Sequence, residues 1–200
     1  MDPVLTLILG SLIILAIIAA NGFFVAQEFA YMSVDRVRLQ TAAKAGDRAA
    51  ARALQVTRRT SFMLSGAQLG ITITGLLIGY VAEPLVGRGL GELLGDAGVP
   101  VAVSVTIGTV AALFISTIAT MLFAELFPKN YTIAAPMKTA LWLSTSTMWY
   151  LRIFGWLIHF FEYSSNAILK LFGIEPVADV DSSATTDDLE SIVDASHEAG

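Results

Sequence analysis

The stretch Ala97–Asn130, "AGVPVAVSVTIGTVAALFISTIATMLFAELFPKN", decides how the rest of the chain reads. No Asp, Glu, Lys, Arg or His occurs from Ala97 to Ala124, and then Glu125, Pro128 and Lys129 arrive within five residues. A helix needs roughly 20 apolar residues to cross the hydrocarbon core of a bilayer, and this run is longer than that. It ends on a carboxylate and then on the residue least able to continue a helix.

Composition agrees with a membrane setting. The chain has 200 residues, 55% of them apolar and 14% charged, with a mean hydropathy of +0.69. Soluble domains sit near about 45–50% apolar and about 25% charged. A globular fold of this size would leave its apolar runs unburied. The absence of cysteine rules out disulfides and thiolate metal sites. With two histidines, His159 and His197, and no nucleophile–base spacing, no enzymatic site is expected.

Two further segments qualify as spans, Pro3 to about Val34 and Thr60 to Ala82, beside the third at Val99 to about Phe127. The first carries no charge between Asp2 and Glu28, and the second none at all. A fourth candidate, Thr139–Phe161, is cut by Arg152 and His159 into pieces too short to span. It holds Trp142, Trp149 and Trp156, and such aromatic-rich stretches suit the headgroup boundary. The expected architecture is therefore all-α and integral to the membrane. It has three transmembrane helices and interfacial belt helices at about 36–58 and 131–172.

The charges are segregated. Seven of the twelve basic residues lie between Arg36 and Arg59, and eight of the seventeen acidic ones follow Ile174. The linker after the second span carries only Arg88. Basic short loops stay cytoplasmic, which predicts an external N-terminus and a cytoplasmic C-terminus. The basic linker, broken at Gly46, is expected to lie along the anionic inner leaflet. No nucleic acid partner is expected; the partners are membrane lipids. The acidic segment 175–200, "TTDDLESIVDASHEAG" at its end, suggests a cytosolic linker and capped helix with Thr185 and Asp188 as a capping box.

Within the spans, helical spacing puts Ser61, Gln68, Thr72, Gly75 and Gly79 on one stripe and Gly66 and Gly70 on the opposite side. Both glycine pairs fit the small-xxx-small pattern of close helix approach, which would make the second span central. The Gln68/Thr72 stripe would line a polar path. In the first span Asn21, Val25 and Glu28 share a face, and Glu28 lies one to two turns, about 10 Å, inside the boundary. Pro128 removes the helical donor to the Ala124 carbonyl, beside Glu125. One reading is a set of freed carbonyls and one carboxylate, which suits a hard cation such as Mg²⁺ or Na⁺. The other is a helix that simply ends at the interface with Lys129 reaching the headgroups.

Three motifs bear on that choice: "NGFFVAQEFAYMSVDRVRLQ" (21–40), "QLGIT" (68–72) and "AELFPKN" (124–130). In this order they resemble the transmembrane domain of the CorC/cyclin M (CNNM) family, with E-x-x-P-K the most specific element. The resemblance implies a homodimer with three spans per protomer in the plasma membrane, a heterodimer with a paralogue being the variant. It also implies a cytosolic CBS-domain pair following the acidic segment, and a link to Mg²⁺ export driven by Na⁺. Mg²⁺ is then substrate rather than a tightly held cofactor. Carried over by position, Glu125 and the Ala124 carbonyl are the ion-binding element; Glu28, Asn21, Gln68 and Thr72 are further candidates from their own placement in the spans. Lys129 is expected to pair with Glu28 or Glu125.

Two positions depart from the Mg²⁺-linked pattern. Val25 stands where a Ser is typical and Ile71 where an Asn is typical, and each replacement removes an oxygen ligand. Export of an organic cation such as a polyamine is the alternative these positions suggest. A non-transporting regulatory scaffold is the third.

Overall fold

The structure, a computed structural model, describes residues 3–81, 95, 98 and 100–174. The acidic 175–200 segment, with its expected cap at Thr185 and Asp188, and most of the linker bearing Arg88 lie outside them. The described secondary structure is helical throughout: α1 (Pro3–Ser33), α2 (Arg36–Lys44), α3 (Arg48–Thr57), α4 (Thr60–Val81), α5 (Val101–Ala119), a π-helical segment (Thr120–Leu126), α6 (Phe127–Ala134), α7 (Pro136–Ile153) and α8 (Gly155–Leu171).

Three stretches are long and apolar enough to cross a membrane: Ile8–Ser33, Thr60–Val81 and Ala102–Ala134. The N-terminal half of α1 and most of α5 expose large apolar side chains, among them Ile8, Leu12, Val110 and Phe114. Water would penalise such a surface, and acyl chains do not. The third stretch does not stop at Phe127 as the sequence predicts. It runs through Pro128 to Ala134 and breaks at Ala135, whose backbone (φ −140°, ψ 57°) leaves the helical region just before Pro136.

The segments between and after the spans form a packed collar. Asp35 caps α2 by accepting from the Val37 and Arg38 N–H groups at 2.8 and 3.2 Å. Asp47 caps α3 through Ala49 and Ala50 at 2.7 and 3.1 Å. Each such cap contributes about 1 kcal/mol. The reversal between them uses Gly46 at φ +96°, a left-handed conformation that favours glycine. Leu39 of α2, Ala50, Ala53 and Val56 of α3, and Ala140 and Leu143 of α7 are buried together with Ala30, Tyr31 and Val34 of α1 and Met63 and Ala67 of α4. Small residues at these positions let two short helices and α7 close round the bases of α1 and α4.

The central helix is α1, not the second span. It packs against α4, the π segment, α6 and α7. The expectation of close approach at Gly66 and Gly70 is met on one side of α4 only. A Cβ on Gly70 would meet the Phe24 ring at 2.4 Å, and one on Gly66 would meet Leu151 Cδ2 at 2.8 Å. A Cβ added at Gly75 or Gly79 would meet nothing within 4 Å among the described residues.

Candidate functional site: the interrupted third span

A span that loses its α-helical register inside the bilayer must satisfy or redirect its backbone groups. Here the register fails over Thr120–Leu126, where the backbone becomes π-helical and Phe127 N–H donates to the Leu122 carbonyl, five residues back. Such segments accommodate one extra residue per turn. Pro128 follows at the second position of α6, where a missing N–H costs little. In this register the acceptor that Pro128 fails to serve is the carbonyl of Phe123, one residue before the Ala124 carbonyl predicted from α-helical spacing.

That carbonyl faces α1. A Cβ on Gly22 would sit 3.3 Å from the Phe123 oxygen and 3.1 Å from Pro128 Cγ. Gly22 therefore lets the broken segment lie against the first span. Ala124 is fully buried with Ile14 and Ile18 of α1 and Ile78 of α4. Glu125, one residue on, is exposed on the surface of the chain. The two halves of the predicted ion element thus face different surroundings: Ala124 is sealed in an apolar contact and its neighbour is open.

Asn21 is buried, and its side-chain oxygen lies 3.1 Å from Thr74 Oγ1. The same hydroxyl is 2.7 Å from the Gly70 carbonyl and 3.2 Å from that of Ile71. One hydroxyl proton cannot serve three acceptors. The shortest contact takes it, so the Asn21 amide, turned over, donates its N–H to the Thr74 oxygen. Thr74, not Thr72, is the partner of Asn21. Gln68 and Thr72 are exposed on the outer face of α4 with Gly75 and Gly79. Sequence periodicity grouped them correctly, but that face turns away from Asn21 and Ala124.

Glu28 is half-buried. Lys129 pairs with neither carboxylate; its ammonium lies over the Phe29 ring, 5.1 Å from the centroid. Among the described residues no group of three His, Cys, Asp or Glu side chains converges as a metal site. Oxygen ligands for a cation must come largely from carbonyls and amides. Val25 is buried and Ile71 half-buried, so both positions stay apolar as the sequence indicated.

Buried polar groups on four side chains, Gln27, Thr120, Thr132 and Thr147, escaped the sequence reading and lack a hydrogen-bond partner among the described residues. Neither side-chain amide atom of Gln27, which is wholly buried, has a hydrogen-bond partner among the described residues. Nor does the Thr120 hydroxyl, at the first residue of the π segment. An unpaired buried amide or hydroxyl costs about 1–3 kcal/mol. A polar residue in an otherwise apolar span was the available sign of Gln27. For Gly22 it was a glycine in a helix interior.

Beneath the site, α4 is held by the Tyr150 hydroxyl, which donates to the Gly66 carbonyl at 2.8 Å. Burial pushes the Tyr150 phenol up to about 12, so it stays a donor at any physiological pH.

A helical membrane domain whose third span is broken beside a carboxylate and packed on a glycine of the first is the class of protein these features define. The chain belongs to the family described as the cyclin M transmembrane N-terminal domain, whose model matches residues 12–200. It is 35% identical over 184 residues to Rv1841c of Mycobacterium tuberculosis, covering 91% of this chain and 52% of that protein. It is 35% identical over 189 residues to the UPF0053 protein MT1890 of the same species, covering 94% of this chain and 42% of that one. To the UPF0053 protein YugS of Bacillus subtilis it is 30% identical over 194 residues, covering 97% of this chain and 45% of the relative. The chain thus spans about half the length of these relatives or less.

Proposed function

We propose that the protein exports a divalent cation, Mg²⁺, by Na⁺-coupled alternating access as a homodimer in the cell membrane, with its N-terminus outside. The observation that carries this reading is the loss of α-helical register over Thr120–Leu126, where the Phe123 carbonyl faces Gly22 two residues before Glu125 in sequence. Broken helices in spans commonly build ion sites from such carbonyls. In a state that brings them together, Glu125 would supply charge, Asn21 and the Phe123 carbonyl would supply neutral oxygens, and Mg²⁺ would keep several waters. The unpartnered Gln27 and Thr120 side chains offer further groups to a hydrated cargo. Gln68, Thr72, Gly75 and Gly79 then belong to the contact with the second protomer, where small residues allow close approach and the polar pair finds partners.

The polyamine reading has one observation in its favour: Val25 and Ile71 offer alkyl surface where the Mg²⁺-linked pattern has oxygen ligands. Proteoliposomes decide between the two. With a Na⁺ gradient imposed, Mg²⁺ flux is expected, and Glu125→Gln should lower it at least about tenfold, as loss of the one charged ligand demands. Spermidine flux without Mg²⁺ flux selects the alternative. No flux of either, with Glu125→Gln leaving a cellular phenotype intact, leaves the regulatory scaffold.

A further inference from the structure

A second polar site lies away from the interrupted span, at the boundary where α4 enters its apolar run. There, a cleft of about 390 Å³ is lined by Gln55, Arg59, Phe62, Arg152 and His159, with apolar α3 and α7 side chains behind. Arg59 is the last basic residue before the uncharged Thr60–Val81 helix. Arg152 and His159 flank the bend at Phe154 that separates α7 from α8. Three exposed tryptophans seven residues apart, Trp142, Trp149 and Trp156, run along the same pair of helices. Tryptophans in such a row mark the headgroup level.

The positive groups of the cleft are held in place but not neutralised. The Arg59 guanidinium lies over Phe62, 4.2 Å from the ring centroid, and the His159 ring packs on the same Phe62 at 4.4 Å. Arg59 Nη2 is 3.3 Å from His159 Nε2. An arginine can only donate, so in this contact His159 Nε2 is the acceptor. Nδ1 faces Glu162 Oε2 at 3.4 Å. The one carboxylate nearby is thus engaged on the far side of the imidazole. Among the described residues, neither Arg59 nor Arg152 has a carboxylate within ion-pair distance. Arg152 is 5.9 Å from the Trp149 ring. Two guanidiniums line one concave site, with an aromatic floor fixing the first and most of its five N–H donors unused.

We propose that this cleft binds a phosphate group, and that the phosphate is the headgroup of an anionic lipid. Two arginines facing one cavity repel each other unless an anion bridges them, and planar guanidinium groups match phosphate oxygens in pairs. The position at the mouth of a span, flanked by interfacial tryptophans, is where lipid phosphates lie. The site is independent of which cation the interrupted span carries.

The test uses the whole chain purified in detergent, with its unfolding midpoint titrated against dihexanoyl phosphatidylglycerol, dihexanoyl phosphatidylcholine and inorganic phosphate. Phosphatidylglycerol should raise the midpoint and the zwitterionic lipid should not. Arg59→Gln and Arg152→Gln should each weaken that binding about fivefold or more, while Arg58→Gln, an exposed neighbour outside the cleft, changes it by less than about twofold. Arg152→Lys keeps the charge without the fork and should fall between the two. A cleft-dependent shift with inorganic phosphate alone sustains the site and assigns it to a free anion. No shift with any phosphate, or a shift that Arg58→Gln reduces as much as the cleft variants do, overturns the proposal.

Discussion

The two glycine pairs of α4 look alike in sequence and have opposite surroundings. Gly66 and Gly70 are closed over by Tyr150, Leu151, Ile158 and the Phe24 ring. At Gly75 and Gly79, on the other side and nearer the far end of the helix, an added Cβ would meet nothing within 4 Å among the described residues. One pair is the seam within the protomer. The other is a face without a partner among the described residues, bordered by exposed Gln68 and Thr72. A small-xxx-small motif therefore says that something approaches closely, and only packing says whether it is the same chain.

Gly70→Ala breaks the closed side most severely. The added Cβ would lie 2.4 Å from two carbons of the Phe24 ring, and that ring is itself wedged against Tyr150 at 4.9 Å and Phe23 at 5.2 Å between centroids. The ring has no flexible end to give way. Overpacking of this kind costs about 1–3 kcal/mol or more, against a helix-propensity gain of about 1 kcal/mol for leaving glycine. A lowered unfolding midpoint in detergent is expected. An unchanged midpoint would show that the α1–α4 seam is looser than these distances imply.

The open side gives the converse result. Gly75→Leu together with Gly79→Leu should leave the chain's secondary structure and unfolding midpoint intact, since no described residue is there to clash. If this face seals a homodimer, the same double variant should weaken association about tenfold, as about 1.4 kcal/mol of lost packing would. Analytical ultracentrifugation in detergent reads it directly. A dimer indifferent to two added leucines would move the interface off α4.

Much of this arrangement was legible in the sequence. The three apolar runs, the Gly46 break, the collar helices and the two faces of α4 follow from charge spacing and helical period alone. What periodicity cannot supply is which face meets which neighbour. It grouped Gln68 with Thr72 correctly and then aimed them inward. Pro128 and Pro136 show a second limit. Both disfavour helix in the residue before them, yet Phe127 stays helical (φ −64°, ψ −52°) while Ala135 does not. The difference is the π segment, which opens a place for the proline ring against Gly22. No local sequence rule predicts that register change, and it shifts the exposed carbonyl from Ala124 to Phe123.

Asn21 and Thr74 offer the finest test of how the closed side is held. Thr74 is the one polar side chain among the buried positions of α4's packed face, between Gly70 and Ile78. Its hydroxyl bonds its own backbone at Gly70, and that bond alone would contribute little across the seam. The bond from Asn21 is the interhelical one, at 3.1 Å. Thr74→Val keeps the shape and removes the acceptor, so the Asn21 amide loses its partner within an apolar seam. Interhelical hydrogen bonds in membranes average about 0.6 kcal/mol, and a slightly larger loss is expected because Asn21 is left buried and unpaired. Asn21→Leu on top of Thr74→Val should then recover part of that loss, since no orphaned amide remains. If the two changes simply add, Asn21 and Thr74 do not act as a pair, and the polar contact between the first two spans is incidental to their packing.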